Sequence, residues 1–229
     1  MKNLKLLLGL IGLFIATASC ANDSDTQNNT MRVFAKGTYT NQAARLGMPS
    51  NVIIINSFQA NIRQLTFNYS QMDNNYGNNS INVLGKWELD LLNRTIPLTT
   101  MNLPNGVYGN AELRLIKCME SSSPMYHKTV EIRGTVDDQP FIFWHDFERI
   151  LTLDYADYTE DLVVNNQSLN VVLDFNLNKL FDLVDISTAV DGDGDGVIEI
   201  GPNDSDGNNE IFQQLNQFIG ICGRLDDNR

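Results

Sequence analysis

Basic residues are scarce in this sequence of 229 residues: 16 Lys and Arg stand against 28 Asp and Glu, which gives a formal net charge of −12. A nucleic-acid partner requires a basic surface that neutralises phosphates, so the composition predicts that this protein has none. A surface with so much negative charge attracts cations instead. The lack of positive charge therefore favours a metal-ion site over a site for an anionic ligand.

Residues and motifs typical of catalysis are also few. The sequence has two histidines, His127 and His145, and it contains no GxSxG motif, no HExxH motif and no phosphate-binding glycine loop. The one group resembling acid–base machinery is His145 with Asp146 and Glu148, but adjacent residues of a strand face opposite sides of the sheet. We therefore predict that the protein is not an enzyme.

A long apolar run is absent as well. The run Leu6–Ala16 has about eleven residues, whereas a membrane-spanning helix needs about 20. Lys2 and Lys5 precede this run, and the small residues 17–19 lie between it and Cys20. This order of charges, apolar residues and small residues is typical of a secretory signal peptide, here residues 1–19.

The stretch TASC that ends at Cys20 resembles the lipobox of bacterial lipoproteins, although Thr17 stands where an aliphatic residue is usual. We predict that Cys20 carries the lipid and anchors the protein to the outer membrane or cell surface. Several acyl chains on one residue give durable anchoring. Residues 20–30 are then the lipidated Cys and a flexible polar tether. The alternative is a secreted protein that is cleaved just before an unmodified Cys20.

Cysteine is rare in the rest of the chain, where Cys118 and Cys222 are the two remaining thiols. Cys118 lies in a predicted strand and Cys222 closes a predicted helix, so their separation cannot be read from sequence. They either form a disulfide in an exported protein or remain as two buried free thiols.

Period-two patterning dominates residues 31–175 and predicts a mainly β fold. Apolar and polar residues alternate most clearly over 169–175, and a shift of phase at Arg63–Gln64 indicates a β-bulge. Turn signals at Gln71–Ser80, Pro104–Gly106 and Asp137–Pro140 separate short strands. We expect one antiparallel β-sandwich, immunoglobulin-like or transthyretin-like, over residues 31–175.

The periodicity then becomes helical in residues 176–229. This segment is predicted to form a helix, an acidic loop and a C-terminal helix that pack on the same domain. The apolar faces of the two helices are expected to be core rather than ligand sites. Their members are Leu177, Leu180, Phe181 and Val184 in the first helix, and Ile211, Phe212, Leu215, Phe218, Ile219 and Cys222 in the second.

The acidic loop begins with the motif DGDGDGVIEI at residues 191–200. Asp191, Asp193 and Asp195 occupy positions 1, 3 and 5 of an EF-hand-type calcium loop, and Gly196 occupies position 6, where a sharp turn is needed. A hard dication prefers six to eight oxygens at about 2.4 Å, which alternating carboxylates in a tight loop can supply. The motif predicts a Ca²⁺ site in which Val197 offers its backbone carbonyl.

The second half of the loop departs from the EF-hand, because Pro202 occupies position 12 in place of the bidentate Glu. We expect replacement oxygens from Glu199, Asp204 and Asp206. The missing ligand indicates a weak site, with a dissociation constant of about 10⁻⁵ to 10⁻⁴ M. Residues 182–210 hold nine acidic residues and no Lys or Arg, which favours a bound cation. The alternative is a solvated acidic loop without metal.

Several segments together resemble a family of uncharacterised bacterial surface lipoproteins with a β-sandwich domain and a C-terminal EF-like calcium loop. They are Gly37–Thr40 (GTYT), Ser57–Phe67 (SFQANIRQLTF), Trp87–Leu92 (WELDLL), Leu103–Tyr108 (LPNGVY), Phe141–Asp146 (FIFWHD) and residues 191–204 (DGDGDGVIEIGPND). The resemblance covers most of the chain after the signal peptide. It implies export and fold, and it assigns no catalytic residue.

Three kinds of function fit these observations. The first is a calcium-stabilised binding or adhesion module, in which exposed Tyr126, Tyr155 and Tyr158 stack on a glycan or contact a protein ligand. The second is a structural subunit of a larger surface assembly. The third is a hydrolase, which would require a concave pocket with convergent polar groups. The first is the function that we expect.

Overall fold

A computed structural model of the chain describes residues 29–40, 52–74 and 80–227. These residues form two β-sheets and two short α-helices, so the predicted mainly β class is confirmed. No helix within them is long and apolar enough to cross a membrane. The predicted signal peptide, Cys20 and nearly all of the tether lie outside the described residues.

The smaller sheet has four strands in the order β12–β10–β1–β4. β1 pairs with β10 in parallel, while the other two pairings of this sheet are antiparallel. The strands are β1 (Thr30–Thr38), β4 (Thr95–Asn102), β10 (Leu169–Asn176) and β12 (Gly223–Asp227). Asp174 of β10 is buried on the outer side of this sheet, where Arg224 of β12 and Lys36 of β1 pair with its carboxylate.

The larger sheet has eight strands, which are β2 (Ile53–Tyr69), β3 (Ile81–Asp90), β5 (Gly106–Leu115), β6 (Val130–Val136), β7 (Gln139–His145), β8 (Arg149–Leu153), β9 (Leu162–Val164) and β11 (Ile198–Ile200). All of their pairings are antiparallel except that of β11 with β7. The two sheets are therefore mainly antiparallel, as expected of the predicted sandwich, and each also contains one parallel pairing that was not predicted.

β2 is the longest strand and organises the larger sheet. β3 pairs with one edge of β2, and β6 and β5 follow one another along the opposite edge. The register shifts between Ile62 and Gln64, which confirms the bulge predicted at Arg63–Gln64. The β6 branch continues into β7 and β11, whereas the β5 branch continues into β8 and β9.

Asn61 lies where these two branches meet. Its backbone N–H donates to the carbonyl oxygen of Thr129, just before β6, at 2.8 Å. Its side-chain Nδ2 donates to the carbonyl oxygen of Ile116, just after β5, at 2.9 Å, and its own carbonyl accepts from the Ile116 N–H. The buried Asn61 amide thus binds polar groups that would otherwise be unpaired where the β5 and β6 branches meet. This junction is called the fork below.

The two sheets pack face to face through one continuous hydrophobic core, as a sandwich requires. The rings of Phe58 in β2 and Phe175 in β10 meet edge to face across the layers, with centroids 5.9 Å apart. Gly37 of β1 lies so close to this contact that a Cβ would stand 2.6 Å from Phe58 Cδ1. The finer type of sandwich, immunoglobulin-like or transthyretin-like, stays a prediction.

The helices are α1 (Leu177–Leu183) and α2 (Asn209–Phe218), and 3₁₀ turns lie at Ile186–Thr188 and Ile219–Cys222. Both predicted apolar stripes face the core, as expected. The C-terminal segment contributes more than helices, however, because β11 and β12 join the larger and smaller sheets. Neither strand was predicted, since β11 falls inside the acidic loop and β12, with the sequence GRLDD, buries little more than Leu225.

The burial of the two cysteines and of Tyr155 decides two further expectations. Cys118 and Cys222 are both buried free thiols, so the disulfide alternative does not hold. Tyr155 was expected to be exposed, but it is buried and donates its hydroxyl proton to Asp227 at 2.6 Å. Tyr126 and Tyr158 are exposed, as predicted.

Gly134 of β6 provides a test of the packing between β6 and β2. A Cβ at this position would lie 1.9 Å from the carbonyl oxygen of Ile54, a backbone atom that cannot rotate away. We predict that Gly134→Ala lowers the free energy of unfolding by about 1–3 kcal/mol, the usual cost of overpacking. Urea denaturation of both proteins measures this difference.

Gly109 of β5 provides the matched control. A Cβ there would make ordinary contacts, the nearest atom being Ser70 Cα at 3.5 Å. Gly109→Ala should therefore unfold within about 0.5 kcal/mol of the unsubstituted protein. Equal denaturation midpoints for the two alanine variants would contradict the described pairing of β2 with β6.

Candidate calcium loop

The acidic loop is fixed to the larger sheet at its centre and to α2 at its end. β11 pairs in parallel with β7, with Ile198 opposite Phe141 and Ile200 opposite Phe143. Ile198 and Ile200 are buried, and Glu199 between them points outward because side chains alternate along a strand. Ile198 and Ile200 thus anchor the middle of the loop in the hydrophobic core.

The first half of the loop is folded around the carboxylate of Asp191. Its Oδ1 accepts the N–H of Gly194 at 2.7 Å, and its Oδ2 accepts the N–H of Gly196 at 2.9 Å. Gly194 and Gly196 have φ values of +78° and +96°, which residues with a Cβ rarely adopt. The sharp turn that the sequence predicts at Gly196 is thus confirmed, with Asp191 at its centre.

Asp206 closes the loop from the other side. It is 7% exposed, and its carboxylate accepts three backbone N–H groups, from Gly192 at 2.9 Å, Asp193 at 3.2 Å and Glu199 at 2.6 Å. A Cβ on Gly192 would stand 2.5 Å from the Asp206 carbonyl oxygen, so the two segments touch through their backbones. Asp206 therefore joins the start of the loop to β11.

Three predicted ligands meet in space. Carboxylate oxygens of Asp191, Asp193 and Asp206, one from each, lie within 4.8 Å of one another. Oxygens that bind one Ca²⁺ at about 2.4 Å can be at most about 4.8 Å apart, so this spacing fits a single ion. Each carboxylate oxygen can accept two hydrogen bonds. The hydrogen bonds described leave each of these carboxylates with capacity for a cation.

The other three carboxylates predicted as ligands, those of Asp195, Glu199 and Asp204, are not part of this cluster. Asp195 Oδ1 accepts the N–H of Val197 at 2.8 Å, so this pair closes a local turn. Glu199 Oε2 lies 3.0 Å from the hydroxyl oxygen of Ser205. Asp204 accepts backbone N–H groups on both of its oxygens, including that of Gly201 at 3.0 Å, and so shapes the chain before α2.

Asn208 is a structural residue of the loop that sequence reasoning did not identify. It precedes α2, where Asn commonly caps a helix, but its side chain makes no capping bond. Its Nδ2 instead donates to the carbonyl oxygens of Val190 at 2.8 Å and Glu199 at 2.7 Å, and its Oδ1 accepts the Val190 N–H. The only sequence signal was an Asn at a helix start, which predicts a cap.

The charge of the cluster is not balanced by basic residues. Among the described residues, none of Asp191, Asp193 and Asp206 forms an ion pair with a Lys or Arg. Backbone N–H groups and the hydroxyl of Ser205, which donates to Asp193 at 2.8 Å, are the observed partners. Partial positive charges of this kind offset only part of the mutual repulsion, which a dication would cancel.

The exit of the loop packs on an indole ring. Trp144 of β7 lies against Gly201 so closely that a Cβ on Gly201 would stand 2.2 Å from the ring. Trp144 is partly exposed, while the other tryptophan, Trp87 of β3, donates its indole N–H to the carbonyl oxygen of Leu98 in β4 of the smaller sheet. Trp144 therefore reports on the conformation of the loop, and Trp87 does not.

His145 is part of the core and does not face a pocket. It is 0% exposed, and its Nδ1 lies 2.6 Å from the hydroxyl oxygen of Thr129. Burial, with a smaller contribution from the positive charge of Arg149, lowers the pKa of His145 to about 4. Asp146 points away and pairs with Lys117 at 2.7 Å. The geometry agrees with the expectation that these two residues share no site.

Comparisons with protein families, with curated proteins and with solved structures find no match to this chain. Its site must therefore be interpreted from its own residues.

The buried His145 predicts how stability depends on pH. The unfolded chain binds the imidazole proton near the ordinary pKa of 6.5, whereas the folded protein binds it only near pH 4. Falling pH therefore favours the unfolded state between these values, by about 3 kcal/mol at pH 4. We expect urea denaturation at a series of pH values to show this loss in the unsubstituted protein and a smaller loss in His145→Gln.

His127→Gln is the control, because it makes the same substitution at an exposed histidine. Carboxylates that titrate in the same range contribute equally to all three proteins, so the difference between their curves isolates His145. Parallel curves for His145→Gln and the unsubstituted protein would show that the imidazole is not held neutral by burial.

Proposed function

We propose that this protein is a lipid-anchored, calcium-stabilised binding module on the outer membrane or cell surface, without enzymatic activity. The observation that carries the calcium assignment is the convergence of Asp191, Asp193 and Asp206 within 4.8 Å in a loop without a basic partner. These three carboxylates come from positions 1, 3 and 16 of one continuous segment, counted from Asp191. A cation is the species that such a group accommodates best.

The donor set fits calcium better than other metals. All candidate ligands are hard oxygen atoms, and no Cys or His is part of the cluster. Carboxylate, carbonyl and water oxygens suit Ca²⁺ and Mg²⁺, whereas thiolate and imidazole ligands favour zinc and copper. Mg²⁺ demands a near-ideal octahedron and dehydrates reluctantly, while Ca²⁺ accepts irregular and incomplete protein ligation. The Val197 carbonyl and water are assigned to the remaining positions.

The effect of the ion is structural. Its ligands belong to the two chain segments that flank β11, so binding joins the beginning of the loop to the segment leading into α2. A ligand that binds only the folded state stabilises it by RT ln(1 + [L]/Kd), about 2.7 kcal/mol at a hundredfold excess over Kd. Calcium therefore fixes the C-terminal quarter of the chain against the sandwich.

The position of β1 supports the anchor. β1 begins at Thr30, ten residues after Cys20. Ten extended residues span at most about 35 Å, so a lipid on Cys20 would hold the sandwich close to the membrane and still allow it to turn. The protein would then display its loops at the surface as a tethered domain.

The calcium site predicts a metal-dependent melting temperature. Calcium added to the metal-free full chain should raise the melting temperature by about 5–10 °C, since about 2.7 kcal/mol corresponds to that shift for a domain of this size. Trp144 fluorescence should change over the same concentration range, and the change should persist in Trp87→Phe. Both effects should be lost in Asp191→Asn, which removes the negative charge of the turn-forming carboxylate and barely changes the size of the side chain.

Glu210→Gln is the matched control, because Glu210 carries the same charge near the loop but is exposed on α2. Asp206→Asn and Asp191→Asn each also weaken backbone hydrogen bonds, three at Asp206 and two at Asp191, so both should lower stability to some extent even in chelator. A melting temperature that is the same in calcium and in chelator would leave the loop as a solvated acidic turn.

The anchor predicts covalent lipid on Cys20. Cells expressing the full chain and fed labelled palmitate should incorporate the label, and the protein should fractionate with membranes. Cys20→Ser should abolish both, whereas Cys118→Ser, which alters a buried thiol, should leave both unchanged. Label that survives in Cys20→Ser would refute the lipoprotein assignment.

A further inference from the structure

A concave surface lies on the β5 branch of the larger sheet, whereas the acidic loop lies on the β6 branch. It is a groove of about 920 Å³, in the upper part of the range for ligand sites. Asn68 of β2 and Asn110 of β5 form its floor as a directly opposed pair. The Asn68 Nδ2 donates to Asn110 Oδ1 at 2.8 Å, and Glu112 follows on the same face.

A gap in strand pairing creates the groove. β8 pairs with residues 111–115 of β5, and β9 pairs with residues 106–108, so neither covers Gly109 and Asn110. The connection between β8 and β9 leaves the sheet here and forms one wall, which carries Tyr158. Residues after the end of β2 form the other wall.

The lining indicates the chemistry of a ligand. The described residues that line the groove include the carboxylates of Glu112, Asp154 and Asp161 and no Lys, Arg or His, so they disfavour phosphates and acidic sugars. Burial, together with the nearby Asp161, raises the pKa of Asp154, although the Tyr155 N–H acts against this shift. Carboxylates and amides are the acceptors that hydroxyl-rich ligands require.

Tyr158 adds the second element of recognition. Its side chain is 83% exposed, an unusual position for a large aromatic ring, and it borders the groove. An aromatic face beside planar amides and carboxylates suits a ligand with an apolar C–H face and a rim of hydroxyl groups. A flat apolar ligand would leave the polar floor unpaired, at a cost that disfavours its binding.

We propose that this groove binds an uncharged oligosaccharide, with Tyr158 stacking on a sugar ring and Asn68, Asn110 and Glu112 binding its hydroxyl groups. The inference rests on the proposed function as a binding module and names its ligand class. A basic peptide is the competing ligand of an acidic groove, but it would not require a ring face beside paired amides. The groove and the calcium loop lie on different branches of the sheet, so each site is tested separately.

The test uses the purified full chain and a panel of uncharged oligosaccharides of glucose, galactose, mannose and N-acetylglucosamine, with sialylated glycans and a lysine peptide for comparison. We expect at least one uncharged oligosaccharide to bind in calorimetric titration. Tyr158→Ala should weaken that binding about tenfold or more, which corresponds to about 1.4 kcal/mol. Tyr158→Phe should retain it, because the ring remains.

Phe147→Ala is the control, since Phe147 is a half-exposed aromatic residue that does not line the groove. No binding of any uncharged oligosaccharide, equal binding by Tyr158→Ala, or stronger binding of the sialylated glycans or the lysine peptide would each overturn the proposal. Retained melting temperatures in the variants exclude unfolding as the cause of a loss.

Two further measurements distinguish failure of the groove proposal from failure of the proposed calcium-stabilised, non-enzymatic function. Binding below the melting temperature should be the same in calcium and in chelator, so failure of the calcium site would leave the groove intact. Mass spectrometry of the bound oligosaccharide should show no cleavage. Cleavage would support the groove as a glycan site and refute the non-enzymatic function.

Discussion

The hydrogen bonds of Asn61 are the constraint on which the larger sheet depends. A strand can satisfy only one neighbour at each position of an edge, yet β2 accommodates both β5 and β6 along the same edge. Asn61 makes this possible by binding the backbone of both Ile116 and Thr129 at the join. Thr129 in turn contacts the buried His145, so the fork is continuous with the core.

The fork also separates the two candidate sites. The β6 branch ends in β11, which holds the acidic loop, and the β5 branch ends where β8 and β9 leave the groove open. The two sites thus share a scaffold but no residues. A loop held at one branch end by a cation can stabilise the sandwich without altering the shape of the groove at the other.

Sequence patterns predicted the features that depend on residues close to one another in the chain. The bulge at Arg63–Gln64 could be predicted because a one-residue shift reverses the alternation of apolar and polar residues. The turn at Gly196 could be predicted because only glycine readily adopts the positive φ found there. Burial of Tyr155 and pairing of β12 depend on partners distant in sequence and were missed. For the same reason, the spacing of acidic residues could not decide that Asp206 joins Asp191 whereas Asp204 shapes the chain before α2.

The order of strands in the smaller sheet has a consequence for biogenesis. β1, near the N-terminus, is flanked by β4 and by β10, and β10 in turn needs β12 from the last residues of the chain. No early segment can complete this sheet before β12 has been synthesised. Pairings so distant in sequence form slowly. The smaller sheet is therefore the last part of the sandwich to close, and the inner face of β10 stays accessible to solvent and to other chains until then.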